Sequence, residues 1–172
     1  WEYWITQFMI ATAKPSMAFL DVGANFGYYS LLLADLVGSE GKGIAVEPNP
    51  HVAEKLQRSL LVNGFGPRVV VEQTALGAER SGTVALCIPD DPMNAHVVLG
   101  SEQSAEGAVS VPTTSIDSLL ATERVDFIKV DAEGAEMVII PGALETLRTQ
   151  RPDFYIEMHG LFYKRLKAML DF

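Results

Sequence analysis

Asp21-Val22-Gly23-Ala24-Asn25-Phe26-Gly27 decides how this chain folds, because a strand pattern runs into it and a helix pattern runs out of it. Met17-Ala18-Phe19-Leu20-Asp21-Val22 is short, mostly apolar and bounded by Pro15 and Gly23, which predicts a buried strand. From about Tyr28 to Val37 the leucine-rich spacing predicts a helix, closed by Gly38. Gly23 and Gly27 permit a tight turn and close approach of a ligand to the backbone. Asn25 stands between them, and Asn is the non-glycine residue most at ease with positive φ.

The same alternation spreads in both directions. Trp1, Trp4, Ile5, Phe8, Met9 and Thr12 fall at helical spacing, so an amphipathic helix is expected within residues 1–14, stopped before Pro15. Gly43 to Glu47 reads as a second strand, ended by Pro48 and Pro50. Val52, Leu56 and Leu60 mark the buried stripe of the next helix, and Val69-Val70-Val71 a third strand. Val84, Leu86 and Ile88 alternate with smaller or polar residues, as do Val109 and Val111, which predicts half-exposed antiparallel strands. The long connection between them, Pro89 to Gly107, is of the kind that is usually functional or disordered.

A short helix is expected from Asp117, and a fourth core strand over Val125 to Val130, ending on Asp131. Helical spacing returns at Met137, Ile140, Leu144 and Leu147, with a kink or restart at Pro141, which lacks a donor and clashes with the preceding turn. Phe154 to Glu157 reads as a fifth strand, and Phe162, Leu166 and Met169 as a final helix. Repeated strand-helix alternation implies one α/β domain, a mostly parallel sheet covered on both faces. A single domain over 1–172 is expected, with the core in 16–172.

Composition excludes several classes. Hydrophobic residues make up 48% and charged residues 20%, the balance of a soluble domain, and no apolar run approaches the ~20 residues of a membrane span. The net charge of −9 disfavours nucleic acid as a partner, the short basic patch Lys164-Arg165-Leu166-Lys167 reading as the wet face of a helix, and no membrane partner is expected. Cys87 is the single cysteine, so no internal disulfide is possible, and a reducing cytoplasm is the default location. His51 and His96 are isolated; Asp131, Glu157 and His159 offer hard ligands, but no spacing specifies a metal.

In open parallel sheets ligands bind beyond the carboxyl ends of the strands. A dinucleotide fingerprint anchored on Gly23 needs glycines at 25 and 28, where Asn25 and Tyr28 stand. The loop instead fits the D-x-G-x-G-x-G turn of class I methyltransferases, with Asn25 at its middle glycine. Glu47, about twenty residues beyond Gly27, is an acceptor-only group suited to two ribose hydroxyls. Asp131, Glu133 and Glu136 follow the fourth strand; a helix-dipole role competes with chemistry for Glu133 and Glu136. Lys129 shares a face with Asp131 and is placed to pair with a carboxylate. Glu157 and His159 share a face at the end of the fifth strand, where they could bind substrate or take a proton.

Together these residues resemble the FkbM-type methyltransferases. The likeness runs through Asp21 to Ser30, Ala45-Val46-Glu47-Pro48-Asn49-Pro50, Ala75-Leu76-Gly77, Thr114 to Leu119, Asp126 to Glu136, Gly142-Ala143 and Glu157-Met158-His159. Ala132 stands where the family more often has Val or Ile. The resemblance implies a class I, Rossmann-like three-layer fold and S-adenosylmethionine as cofactor, with S-adenosylhomocysteine as product. It implies that Asp21, Gly23, Asn25 and Gly27 line the methionine end, that Glu47 holds the ribose, and that Asn49, Thr74 and Ala75 lie near the adenine. Asp131 then faces the cofactor, Asp131, Glu133 and His159 are candidates for general base, and the acceptor is a hydroxyl of a sugar or small natural product. The class I sheet usually ends in an antiparallel pair after the fifth strand; between there and Phe172 only one helix fits, so a sheet lacking its last two strands is expected, with the chain either cut from a longer protein or its sheet completed differently. A nicotinamide-dependent oxidoreductase and a non-catalytic binding domain on the same scaffold are the rival readings.

Overall fold

The computed structural model describes residues 3–79, 81–88, 96–98, 108–132 and 134–157. Its centre is a five-stranded, all-parallel sheet. The strands are β1 (Ala18–Val22), β2 (Lys42–Val46), β3 (Val69–Glu72), β8 (Phe127–Val130) and β9 (Asp153–Ile156), in the order β3-β2-β1-β8-β9. Between them run α1 (Tyr3–Thr12), α2 (Tyr28–Leu36), α3 (Pro50–Val62), α4 (Ile116–Leu119), α5 (Glu136–Ile139) and α6 (Leu144–Gln150). Alternation along the strands sorts the core into two layers. Phe19, Ala45, Val69 and Phe127 pack with Met9, Leu33 and Leu56 of α1, α2 and α3 on one face. Leu20, Val22, Val46, Ile128 and Val130 pack with Ile116, Ile139 and Ala143 on the other. The result is the three-layer α/β sandwich that the alternation predicts.

Polar side chains fix where the helices begin and end. Asn49 caps α3 by accepting from the His51 backbone N–H (3.1 Å), with Pro50 at the first helical position. The Arg68 guanidinium donates to the carbonyls of Ala34 (2.9 Å) and Gly38 (2.6 Å), satisfying groups left open at the end of α2. Asp117 of α4 accepts from the backbone N–H groups of Thr146 (2.8 Å) and Glu145 (3.1 Å), so it caps α6 from a distance. The helix expected across Pro141 is broken as anticipated: α5 passes into a 3-10 turn over Ile140–Ala143 before α6 begins.

A second sheet, in the order β4-β7-β5-β6, is formed by β4 (Ala75–Leu76), β5 (Gly82–Cys87), β6 (His96–Val98) and β7 (Ala108–Thr114). The β5–β7 pairing is antiparallel, as the alternation of Val84, Leu86, Val109 and Val111 predicts. Two of its strands were not foreseen. β6 sits inside the long connection and pairs with β5, and β4 is a two-residue strand parallel to β7. Neither segment is long enough to carry a periodic signal. The final helix expected around Phe162 to Met169 lies outside the described residues. Among the described residues, no helix is long and apolar enough to cross a membrane.

Candidate active site

Strand order reverses between β1 and β8, because β1 continues to β2 on one side and pairs with β8 on the other. The carboxyl ends of β1, β2 and β8 therefore frame the crevice where a ligand binds in such sheets. The turn after β1 starts with Gly23 (φ 70°), passes through Asn25 (φ 51°) and ends on Gly27 (φ 92°), which caps α2. All three occupy the left-handed region that this loop's residue types suggest. Packing within the chain requires both glycines: a Cβ on Gly23 would overlap the Asp131 carbonyl, and one on Gly27 the Leu56 side chain.

Glu47 stands just past β2 and is 7% exposed. Its Oε2 accepts from the Asn25 backbone N–H (3.0 Å) and its Oε1 from that of Asn49 (2.8 Å). Both donors hold the carboxylate in place and leave lone-pair capacity on each oxygen. Burial raises the Glu47 pKa above its ordinary value of 4.5, nearby Asp21 adds to the rise, and the two backbone donors and Lys129 oppose it. Among the described residues, the Asn25 Oδ1 is a buried acceptor with no hydrogen-bond partner.

A buried ionic cluster lies beneath the loop. Asp21 and Lys129 are register partners on β1 and β8, and both sit on the α2 face. Lys129 Nζ is 3.1 Å from Asp21 Oδ1 and 3.6 Å from Asp131 Oδ2, donates to the Gly23 carbonyl (3.3 Å), and stands over the Tyr29 ring (5.2 Å). The other Asp21 oxygen accepts from Ser30 Oγ (2.6 Å). Asp21 has no exposed surface, and its carboxylate is held between Ser30 and Lys129. The Asp131 side chain is 22% exposed. Glu136 is buried and accepts from the backbone N–H groups of Ala132 (2.9 Å) and Gly134 (3.2 Å), so it shapes the turn after β8.

The residues singled out from sequence thus divide. Gly23, Asn25, Gly27, Glu47, Asn49 and Asp131 gather at the ends of β1, β2 and β8, with Asp21 below them. Asn49 spends its Oδ1 on the α3 cap. Thr74 donates to the Pro112 carbonyl (2.9 Å) and Ala75 pairs with Thr113, so both tie the exit of β3 to the second sheet. Glu133 and His159 lie outside the described residues. Glu157 follows β9, its N–H donating to the Val130 carbonyl (2.8 Å), which brings it alongside the residue that precedes Asp131. Ser30 and Tyr29 are the additions that structure makes. Spacing alone hid them, since a helix's facing residues are fixed by packing.

These groups suit a methionine nucleoside. Glu47 is an anchored, buried acceptor with lone-pair capacity to spare, and Asn25 Oδ1 is a second buried acceptor without a partner among the described residues. Comparison with known proteins agrees. A model described as the methyltransferase FkbM domain matches residues 21–172. Methyltransferase sdnD of Sordaria araneosa is 31% identical over 165 residues, covering 76% of this chain and 62% of that protein, so the chain spans about three fifths of its length. An rRNA methylase from Streptococcus thermophilus superposes on 99% of this chain and 78% of its own, with a TM-score of 0.59 at 10% identity. Precorrin 8W decarboxylase from Methanobacterium thermoautotrophicum covers 97% of this chain and 68% of its own, with a TM-score of 0.55 at 14% identity. Likeness at such identities shows a shared fold. With its matching loop, acidic strand ends and parallel sheet, the chain belongs to the FkbM methyltransferase domain family, S-adenosylmethionine-dependent enzymes of the class I α/β fold.

Proposed function

We propose that this domain binds S-adenosylmethionine across the carboxyl ends of β1, β2 and β8 and directs its methyl group to a hydroxyl oxygen of a sugar or small natural product. The observation that carries the reading is Glu47, a buried carboxylate braced by the Asn25 and Asn49 N–H groups beside a positive-φ loop. Glu47 would hold the ribose hydroxyls, while Gly23, Asn25 and Gly27 line the methionine end. Asn49, Thr74 and Ala75 would flank the adenine through backbone and apolar contact, because the Thr74 hydroxyl and the Asn49 Oδ1 are already engaged. The cofactor supplies an electrophilic methyl on a sulfonium, so the hard chemistry is its own.

What remains for the protein is placement and proton removal. Holding an acceptor oxygen in line can contribute roughly 7–11 kcal/mol in favourable cases. A hydroxyl must also lose its proton, and Asp131, partly exposed at the end of β8, is the candidate base among the described residues. Glu133 and His159 remain candidates for the same task. A net charge of −9 argues against a polyanionic acceptor, and a cytoplasmic site of action accompanies the small-molecule reading.

The test has two arms. Calorimetry with S-adenosylhomocysteine and with NAD should show binding of the first alone; binding of NAD would favour the oxidoreductase, and binding of neither a non-catalytic domain. A screen with methyl-labelled cofactor and the full-length protein, against hydroxylated sugars, small metabolites and RNA, identifies the acceptor. Asp131→Asn should then lose turnover while still binding S-adenosylhomocysteine; unchanged turnover would remove Asp131 from the reaction.

A further inference from the structure

We propose that Lys129 is a positioning residue that locks the cofactor loop to the end of β8 and thereby sets cofactor affinity; the proposal rests on the methionine-nucleoside reading of this crevice. A lysine side chain 3% exposed in the middle of a parallel sheet is a costly choice unless its charge is used. One carboxylate would suffice to neutralise it, and Asp21, its register partner, does so at 3.1 Å. Yet the ammonium also reaches outward, donating to the Gly23 carbonyl at 3.3 Å and lying 3.6 Å from the Asp131 carboxylate. Those are the first residue of the glycine turn and the residue that closes β8.

The two contacts lie where the chain packs tightly on itself, since a Cβ on Gly23 would overlap the Asp131 carbonyl. Lys129 therefore joins from below what meets at the floor of the crevice. Asp21 is in turn held by Ser30 Oγ at 2.6 Å, so the loop's entry, the start of α2 and the end of β8 form one connected unit. Asp131, partly exposed, is the member of this unit that points the arrangement toward a ligand, and Lys129 acts through it and through the Gly23 carbonyl.

Removing Lys129 alone strands the buried Asp21 charge and threatens folding. Asp21→Asn is therefore the reference, because it keeps the outward contacts of Lys129, and Asp21→Asn/Lys129→Met deletes them with no buried charge left unpaired. Affinity for S-adenosylhomocysteine is measured by calorimetry, and amide hydrogen exchange is followed in the ligand-free chain. We expect the double variant to bind at least tenfold more weakly than Asp21→Asn. Exchange should accelerate at residues 23–27, while the amides of α6 stay as they were. Equal affinity and equal loop exchange in the two variants would reduce Lys129 to a counter-ion for Asp21 and overturn the proposal. If the double variant does not unfold cooperatively, Asp21→Asn/Lys129→Gln is read by the same criterion. Failure of the unaltered chain to bind S-adenosylhomocysteine would overturn the cofactor reading itself, and this proposal with it.

Discussion

Glu47 and Gly23 show how single residues set the site, one through charge and one through the lack of a side chain. Glu47→Gln keeps the shape but gives up charge-assisted acceptance, which is worth about 1.5–3 kcal/mol per bond. Calorimetry should find affinity for S-adenosylhomocysteine reduced roughly 10- to 100-fold. Because burial raises the Glu47 pKa, the carboxyl is protonated over a range where an ordinary glutamate is charged. Affinity should thus climb as pH rises through that raised value, and the climb should vanish in Glu47→Gln. The same shift acts on stability in the opposite sense: between 4.5 and the raised value the folded chain holds the proton and the unfolded chain does not, so this group's contribution falls as pH rises. Gly23→Ala adds a methyl at φ 70° against the Asp131 carbonyl, so unfolding should show a loss of roughly 3 kcal/mol or more. A Gly23→Ala chain of parental stability would mean that the turn yields, contrary to the tight fit described.

At the scale of elements, the helices depend on side chains remote in sequence. Arg68, on the approach to β3, closes α2 through the Ala34 and Gly38 carbonyls, and Asp117 of α4 caps α6. Arg68→Ala should lower stability by about 2 kcal/mol and Asp117→Ala by about 1 kcal/mol, as denaturant midpoints would report. Neither residue touches the crevice, so cofactor affinity should stay within twofold, and a larger drop would tie these caps to the site. Gly38, at φ 69°, marks the end of α2 in the sequence itself, but the side chains that complete the end of α2 and the start of α6 come from elsewhere in the chain. Periodicity reports which face of an element is apolar, whereas a cap supplied from another element has no local signature.

For the molecule as a whole, the parallel sheet carries two broad core layers, while the second sheet has a small one. Its buried members are Ala75, Leu86 and Val111, with Val84 and Ile88 packed against them. Native-state hydrogen exchange should therefore release the amides of β5 and β6 through partial opening, while β1 and β8 exchange only on global unfolding. Matching protection in both sheets would show that they unfold as one unit.

The layers, the loop and its left-handed Asn25 were legible in the chain, because period-two and helical patterns, glycine placement and Pro141 act through neighbours in sequence. Glu47 and Asp131 were legible for the same reason, each lying just past an apolar run. Tertiary structure alone decided the rest. It buried Asp21 between Ser30 and Lys129, and it turned Thr74 to the Pro112 carbonyl. It also drew β4 and β6 into a second sheet from segments too short to announce themselves. Each of these outcomes is set by strand register and by packing between residues far apart in the chain, and a linear sequence holds no local trace of either.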